Sequence, residues 1–360
     1  MDKTAWLKDG KWGVFNHYLY YEKECGFKSR FAPEVSWNEC VNCFNVKKYA
    51  KTLSELNTGY VIFTLMQGYE FLCAPNDTFN KITGKKPGEA CSQRDLIMEI
   101  SDELAKYGIP LMVYFPADGP YKSKDVGGIF GYHDRPNEIV TEEFVKKWSS
   151  VLEEYAVRYG DKVKGWWFDG CYPFLGFNED LLKFFKDAVR KGNENAVVAF
   201  NNGVLQVDCN NPEYEHLVDG ETLPWKKMQK LINKAESGNA EALKAFSRPG
   251  PIRYSIHDDY TAGEENHFIW YPEDRFTDGA QWHTLSFLGQ EHENGGFFGN
   301  SGWGNTGSKY TSEELRDYVD KVNAKGGAVS IDIAIFRDGS FDCAQIEVLK
   351  ALKDCRKLNM

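Results

Sequence analysis

The sequence predicts a TIM-like (β/α)8 barrel forming a single catalytic domain over residues 1–360, and three observations carry that expectation. Eight short apolar runs alternate with amphipathic helical stretches, and continuous apolar runs of this length suit strands buried on both faces. The units show no internal repeat, and 42% hydrophobic residues over 360 positions are enough for a large core. The first run is followed by Phe15-Asn16-His17-Tyr18, with none of the glycines that would cradle a phosphate in an open doubly wound sheet.

In chain order the expected strands are Trp12 to Phe15, Tyr60 to Leu65, Pro110 to Phe115, Gly165 to Phe168 and Ala196 to Phe200. Pro251 to Ile256, Trp282 to Phe287 and Ala328 to Ile335 complete the eight. The helices between them carry their own signals. Thr311 with Glu314 is a capping box; Leu315, Tyr318, Val319 and Val322 then share one face, and Gly326-Gly327 ends the helix. Val145, Trp148, Leu152 and Tyr155 form a second stripe that stops before Gly160. One spacing breaks the rhythm: about 204–250 reads as an insertion on the active face, with a polar helical stretch from Trp225 to Phe246.

Composition removes several functions. With 43 basic against 53 acidic residues the net charge is −10, which disfavours a nucleic-acid partner because phosphate binding needs clustered Lys and Arg. No run approaches the roughly 18–20 apolar residues of a membrane span. Met1-Asp2-Lys3-Thr4 lacks the apolar stretch of a signal peptide, so the expected location is cytoplasmic, or secreted or periplasmic if a leader has been removed. Nine scattered cysteines suit free thiols. Cys40-Val41-Asn42-Cys43 has zinc-like spacing without a second pair to complete it. Ten Trp, 19 Tyr and 24 Phe are an unusually aromatic load; some of these rings lie in the core, and sugar clefts also use such rings as platforms.

In a barrel of this kind the catalytic groups sit at the C-terminal ends of the strands. Those ends offer His17, Gln67, Tyr114, Asp169, Asn201-Asn202, the group His257-Asp258-Asp259, and Trp303. Asp169 stands out, because Trp166-Trp167-Phe168 places three rings beside a carboxylate and Gly170 permits a tight turn or a close ligand approach. The bland alternative is an Asp that merely caps the next helix.

The chain resembles glycoside hydrolase family 29, the α-L-fucosidases, in four segments taken in order. Trp12-Gly13-Val14-Phe15-Asn16-His17-Tyr18 resembles the family's opening strand, and Trp167-Phe168-Asp169-Gly170 its nucleophile motif. Ser301-Gly302-Trp303-Gly304 resembles a Ser-Trp-Gly-Tyr segment with one residue inserted. Lys325-Gly326-Gly327-Ala328 through Asp338-Gly339 resembles the last strand and its turn. The resemblance implies a retaining exo-α-glycosidase that removes a terminal fucose or related sugar, with Asp169 as nucleophile and no cofactor, since two carboxyl groups suffice. For the acid/base it implies Glu264, which follows a strand in the region where the family places that residue, with Glu221 as second choice. His17 would bind a sugar hydroxyl, Gln67 would replace a missing histidine, and Tyr114, Trp167, Asn202 and Trp303 would line the sugar. Trp37 is a further platform candidate.

Departures accompany the likeness. Met66-Gln67-Gly68-Tyr69-Glu70-Phe71 stands where the fucosidases carry histidines, and Asn201-Asn202-Gly203 lacks their arginine. Trp282-His283 stands in place of a Trp-Glu pair, and only one helix follows the last strand, so the trailing β-sandwich is missing. Gly68 and Gly203 would vacate volume for a bulkier or decorated sugar. Three other readings remain: a barrel that binds glycans without cleaving them, a metal hydrolase using His257-Asp258-Asp259, His283 and His292, and a serine hydrolase, for which no Gly-x-Ser-x-Gly elbow exists.

Overall fold

The computed structural model describes residues 2–20, 35–135, 137–204, 212–218, 220, 223–246, 250–291 and 301–356. Five strands come first: β1 (Trp12–Asn16), β2 (Val61–Thr64), β3 (Leu111–Pro116), β4 (Val163–Asp169) and β5 (Val197–Phe200). A two-residue hairpin, β6 (Phe276–Thr277) with β7 (Ala280–Gln281), precedes β8 (His283–Phe287) and β9 (Ala328–Asp332). Seven of them form one parallel sheet in the order β5-β4-β3-β2-β1-β9-β8, which is the strand order of a curled α/β barrel sheet with first and last strands adjacent.

Alternation along each strand divides the core in two. Ile62, Met112, Tyr114, Trp167, Ala199 and Leu285 pack together inside the curl. Val61, Phe63, Val113, Phe115, Trp166 and Phe168 face outward and join the helical stripes in the main core. Asp169 therefore shares the inner face with Trp167, two positions earlier. The helix Glu142–Tyr159 buries Val145, Trp148, Leu152 and Tyr155, as its periodicity predicts. Ser312–Ala324 is capped by Thr311, whose hydroxyl accepts from Glu314 N–H while the Glu314 carboxylate accepts from Thr311 N–H.

The expected strand at Pro251 to Ile256 does not form. Its N–H groups turn inward instead: Tyr254 and Ser255 donate to one oxygen of Asp258 at 3.0 and 2.7 Å, and Ile256 donates to Glu179 at 3.0 Å. The gap between β5 and β8 is spanned further along, by residues 259–265. Asp259 N–H donates to the Val198 carbonyl and Thr261 N–H to that of Gln281. Leu285 N–H donates to Gly263 and Glu265 N–H to Leu285. This stretch is ragged because carboxylates stand in for backbone partners. Phe200 N–H donates to Asp258 at 2.8 Å and Val198 N–H to Asp259 at 2.9 Å. At Gly263 the backbone takes φ +64°, and a Cβ would lie 2.1 Å from the His283 carbonyl oxygen, so only glycine fits.

The segment expected as an insertion holds two helices, Pro224–Glu236 and Ala240–Ala245, broken at Ser237-Gly238-Asn239. Met228, Leu231, Ala242 and Ala245 give it a small core of its own. Among the described residues no helix is long and apolar enough to cross a membrane. The seven described cysteines are all unbonded.

Asp258 is 4% exposed, and burial pushes its carboxyl up to about 7 against the three backbone N–H groups that favour its charge. Asp258→Ala would leave three buried donors without an acceptor, at about 1–3 kcal/mol each. A loss of about 3 kcal/mol or more is expected in urea unfolding, with a smaller loss for Asp258→Asn, which keeps one acceptor oxygen. Equal stability of wild type and Asp258→Ala would contradict this account.

Candidate active site

Three strand ends converge on Asp169. Tyr114, from β3, donates its hydroxyl to Oδ2 at 2.6 Å, and Gln67, just after β2, donates Nε2 to the same oxygen at 3.3 Å. Asn201, just after β5, donates Nδ2 to Oδ1 at 2.9 Å. The same Asn201 nitrogen donates to Oε2 of Glu264 at 2.5 Å. Two carboxylate oxygens are thus tied to one amide nitrogen, and their separation cannot exceed those two bonds laid end to end.

Beneath the carboxylates, rings close the interior. Tyr114 stacks on Trp167 at 5.4 Å, and Phe15 meets both edge-on at 5.7 and 5.9 Å. Trp167 anchors its indole N–H on the Ala262 carbonyl at 3.0 Å, which ties β4 to the ragged stretch carrying Glu264. On the opposite wall Asp332, at the end of β9, binds His17 Nδ1 at 2.8 Å and accepts from Gly304 N–H at 2.6 Å. A carboxylate only accepts, so the proton of this bond belongs to Nδ1. Trp303 meets His17 edge-on at 5.9 Å. These groups surround a cavity of about 220 Å³. Gln67 brings to it a buried amide oxygen with no hydrogen-bond partner among the described residues, an acceptor suited to a ligand hydroxyl.

Of the residues expected at the site, His17, Gln67, Tyr114, Trp167, Asp169, Glu264 and Trp303 all line this cavity. Asn202 does not; it lines an adjoining cavity of about 370 Å³, while its neighbour Asn201 holds the carboxylates. Glu221 and His292 lie outside the described residues. Trp37 is a core residue, 3% exposed, with its indole on the Leu72 carbonyl. The metal reading loses its ligands to other work. Asp258 and Asp259 hold the backbone of β5, and His257 binds the Glu179 carbonyl at 3.1 Å. His283 is fully buried between the Thr261 carbonyl and the Ser330 hydroxyl, and burial pushes its pKa down to about 4, so it is neutral. Among the described residues no group of three His, Cys, Asp or Glu could hold a metal.

Sequence reasoning missed a second layer of charge. Asp118, two residues past β3, is 3% exposed, and burial pushes its carboxyl up to about 7; the Arg135 guanidinium opposes that rise and the Asp169 charge adds to it. Arg135 lies 3.4 Å from Asp118, is clasped between the rings of Tyr121 and Tyr172 at 4.7 Å each, and donates to the Tyr121 hydroxyl. The rule of strand ends could have found Asp118. Nothing in the sequence points to Arg135, which arrives from a loop.

No family model matches the sequence, and no curated protein matches it. Solved structures do. An endo-fucoidan hydrolase of glycoside hydrolase family 107, P5AFcnA, is 13% identical with a TM-score of 0.61, covering 98% of this chain and 93% of that one. The α-L-fucosidase AlfC from Lactobacillus casei is 16% identical with a TM-score of 0.56, covering 99% and 98%. A family 29 α-L-fucosidase from Bacteroides thetaiotaomicron is 16% identical with a TM-score of 0.56, covering 97% and 72%. The chain spans only 63% and 53% of two longer family 107 hydrolases, MfFcnA9 and MfFcnA4. The fold is one that glycoside hydrolases use.

Within that fold the two glycines expected to vacate space do not. A Cβ on Gly68 would lie 3.0 Å from the Lys122 stem, and one on Gly203 would lie 2.7 Å from the Tyr172 ring. Side chains from other segments thus occupy the space directly at each glycine, while Gly203 still borders the larger cavity.

The raised Asp118 carboxyl gives a pH test. The folded protein retains a proton that the unfolded chain, with an ordinary carboxylate near 3.8, has lost. Its contribution to stability is therefore fully present below about pH 4 and declines as pH rises to about 7. Asp118→Asn should lose that decline, and the difference between variant and wild type in urea midpoint should shift in the variant's favour between pH 5 and pH 8. A difference that does not change with pH would refute the assignment.

Proposed function

We propose that this chain is a retaining exo-α-glycosidase acting on a terminal fucose or a related sugar, with Asp169 as nucleophile and Glu264 as acid/base. On this reading residues 1–360 form one catalytic (β/α)8 unit in which 259–265 takes the place of the sixth strand. The observation that carries it is the Asn201 amide, bonded to both carboxylates at 2.9 and 2.5 Å. The nearest oxygens of two carboxylates so tied are compatible with the spacing of about 5–5.5 Å that retaining enzymes use.

The steps follow from the geometry. Asp169 attacks the anomeric carbon while the bond to the leaving oxygen breaks, and Glu264 gives its proton to that oxygen. Glu264 then takes a proton from water, whose oxygen displaces Asp169 and frees the sugar. Tyr114, Gln67 and Asn201 hold the nucleophile in one orientation, which spares reorganisation as charge moves. The solved α-L-fucosidases that share the fold support fucose as the first sugar to try. The ring floor of Phe15, Tyr114 and Trp167 supports a terminal sugar over an internal one. The family 107 neighbours are endo-acting, so product size on a polysaccharide is the check on that point.

Asp118 supports a second assignment of the acid, because its carboxyl is pushed up to about 7 beside Asp169. Two experiments separate these. Asp169→Asn should remain folded and lose several orders of magnitude in kcat on aryl glycosides, as expected when a nucleophile is removed; unchanged turnover ends the proposal. Glu264→Ala should cripple glycosides with poor leaving groups far more than activated aryl ones, and azide should restore turnover of the activated substrate. If Asp118→Asn shows that pattern and Glu264→Ala does not, Asp118 is the acid.

A further inference from the structure

We infer that the helical segment 223–246 builds the binding site for the leaving group, and that this site takes a flat apolar or aromatic aglycone. The inference rests on the glycosidase reading above and names the substrate class for it. It starts from the relation of the two cavities. Both are lined by Glu264, Arg135 and Tyr172, but Asp169 lines only the first and Asn202 only the second. In a retaining reaction the acid/base residue reaches the glycosidic oxygen, which lies between sugar and leaving group, while the nucleophile approaches the sugar from the other side. With the sugar in the cavity that holds Asp169, its oxygen must face Glu264. The leaving group then continues into the cavity that Glu264 shares.

The walls of that second cavity declare what fits. Tyr172 and Phe174 lie parallel, 5.0 Å apart and 9° from coplanar, and Trp225 meets Phe174 at 5.6 Å. Val204, Met228 and Ile232 add aliphatic surface. Trp225, Met228 and Ile232 all belong to the helix Pro224–Glu236, while Phe174 is on the turn after β4. Trp225 and Phe174 are only half-buried, so their rings have faces available for stacking. The polar groups, Asn202, Arg135 and Glu264, lie on the side shared with or next to the sugar cavity. An extended apolar ring system stacks on such walls, while among the described lining residues the side chains of Phe174, Val204, Met228 and Ile232 offer the hydroxyls of a second sugar no hydrogen bond.

The test uses the full chain and one sugar with two leaving groups. A glycosyl fluoride has a leaving group too small to fill the second cavity; the 4-methylumbelliferyl glycoside fills it. Trp225→Ala should lower kcat/KM for the umbelliferyl glycoside on the order of 10-fold, chiefly through KM, and leave the fluoride unchanged. Trp225→Phe should restore most of the loss. Free 4-methylumbelliferone should bind wild type and bind Trp225→Ala more weakly, read by its fluorescence. Equal losses on both substrates, or no loss on either, overturn the inference while the wild-type fluoride activity keeps the glycosidase reading intact. If wild type cleaves neither substrate, the glycosidase reading fails and the leaving-group role falls with it, even where the dye still binds.

Discussion

The sheet's two edge strands, β5 and β8, are joined by a stretch of chain that pairs with both but cannot pair regularly with either. Asp258 and Asp259 spend their carboxylates on the N–H groups of Phe200 and Val198, where a regular strand would offer carbonyls. Gly263 then lets the backbone press against the His283 carbonyl. Because the stretch is ragged at that point, Glu264 lands at the mouth of the curl within 2.5 Å of Asn201. A regular strand would alternate its side chains in and out with period two. Here the irregular backbone and the side-chain partners set where Glu264 points.

That arrangement explains what could be read beforehand. Seven strands and the helical stripes were legible because each is an apolar period matched to its burial. Asp169 was legible because three rings precede it in one strand, and Gln67 and Tyr114 because they end strands. The eighth strand was misplaced for the same physical reason that makes it irregular. Asp258-Asp259-Tyr260-Thr261 reads as polar loop, since its own two carboxylates, and not its backbone alone, bind the N–H groups of β5. Pro251 to Ile256 reads as strand, yet its N–H groups are folded onto Asp258 and Glu179. An apolar run shows burial, not which acceptor takes its hydrogen bonds.

Asn201 and Asn202 make the same point at single-residue scale. Both follow β5, and residue type gives no ground for choosing between them as the group that touches Asp169 and Glu264. Strand alternation decides: Asn201 turns to Asp169 and Glu264, and Asn202 lines the neighbouring cavity.

The departures from the fucosidase pattern were read as losses that leave space, and the structure turns that reasoning around. A residue's absence from one strand end is not a void when other loops reach the same place. Lys122 packs against Gly68 and Tyr172 against Gly203, and each larger side chain would clash with the glycine's replacement. The loop that carries Lys122 and Arg135 lies between β3 and β4, next to the strands that carry Tyr114 and Asp169. Lys122 and Arg135, on either side of the helix Lys124–Phe130, bring positive charge to the cavity, and Arg135 lies 3.4 Å from the buried carboxylate of Asp118. Rings on both faces of that guanidinium fix it without spending its charge, because cation–π contact leaves the N–H edges for hydrogen bonds. Asp169 has its three donors from strand ends, Tyr114, Gln67 and Asn201, whereas Lys122 and Arg135 reach the same cavity from the connection between β3 and β4.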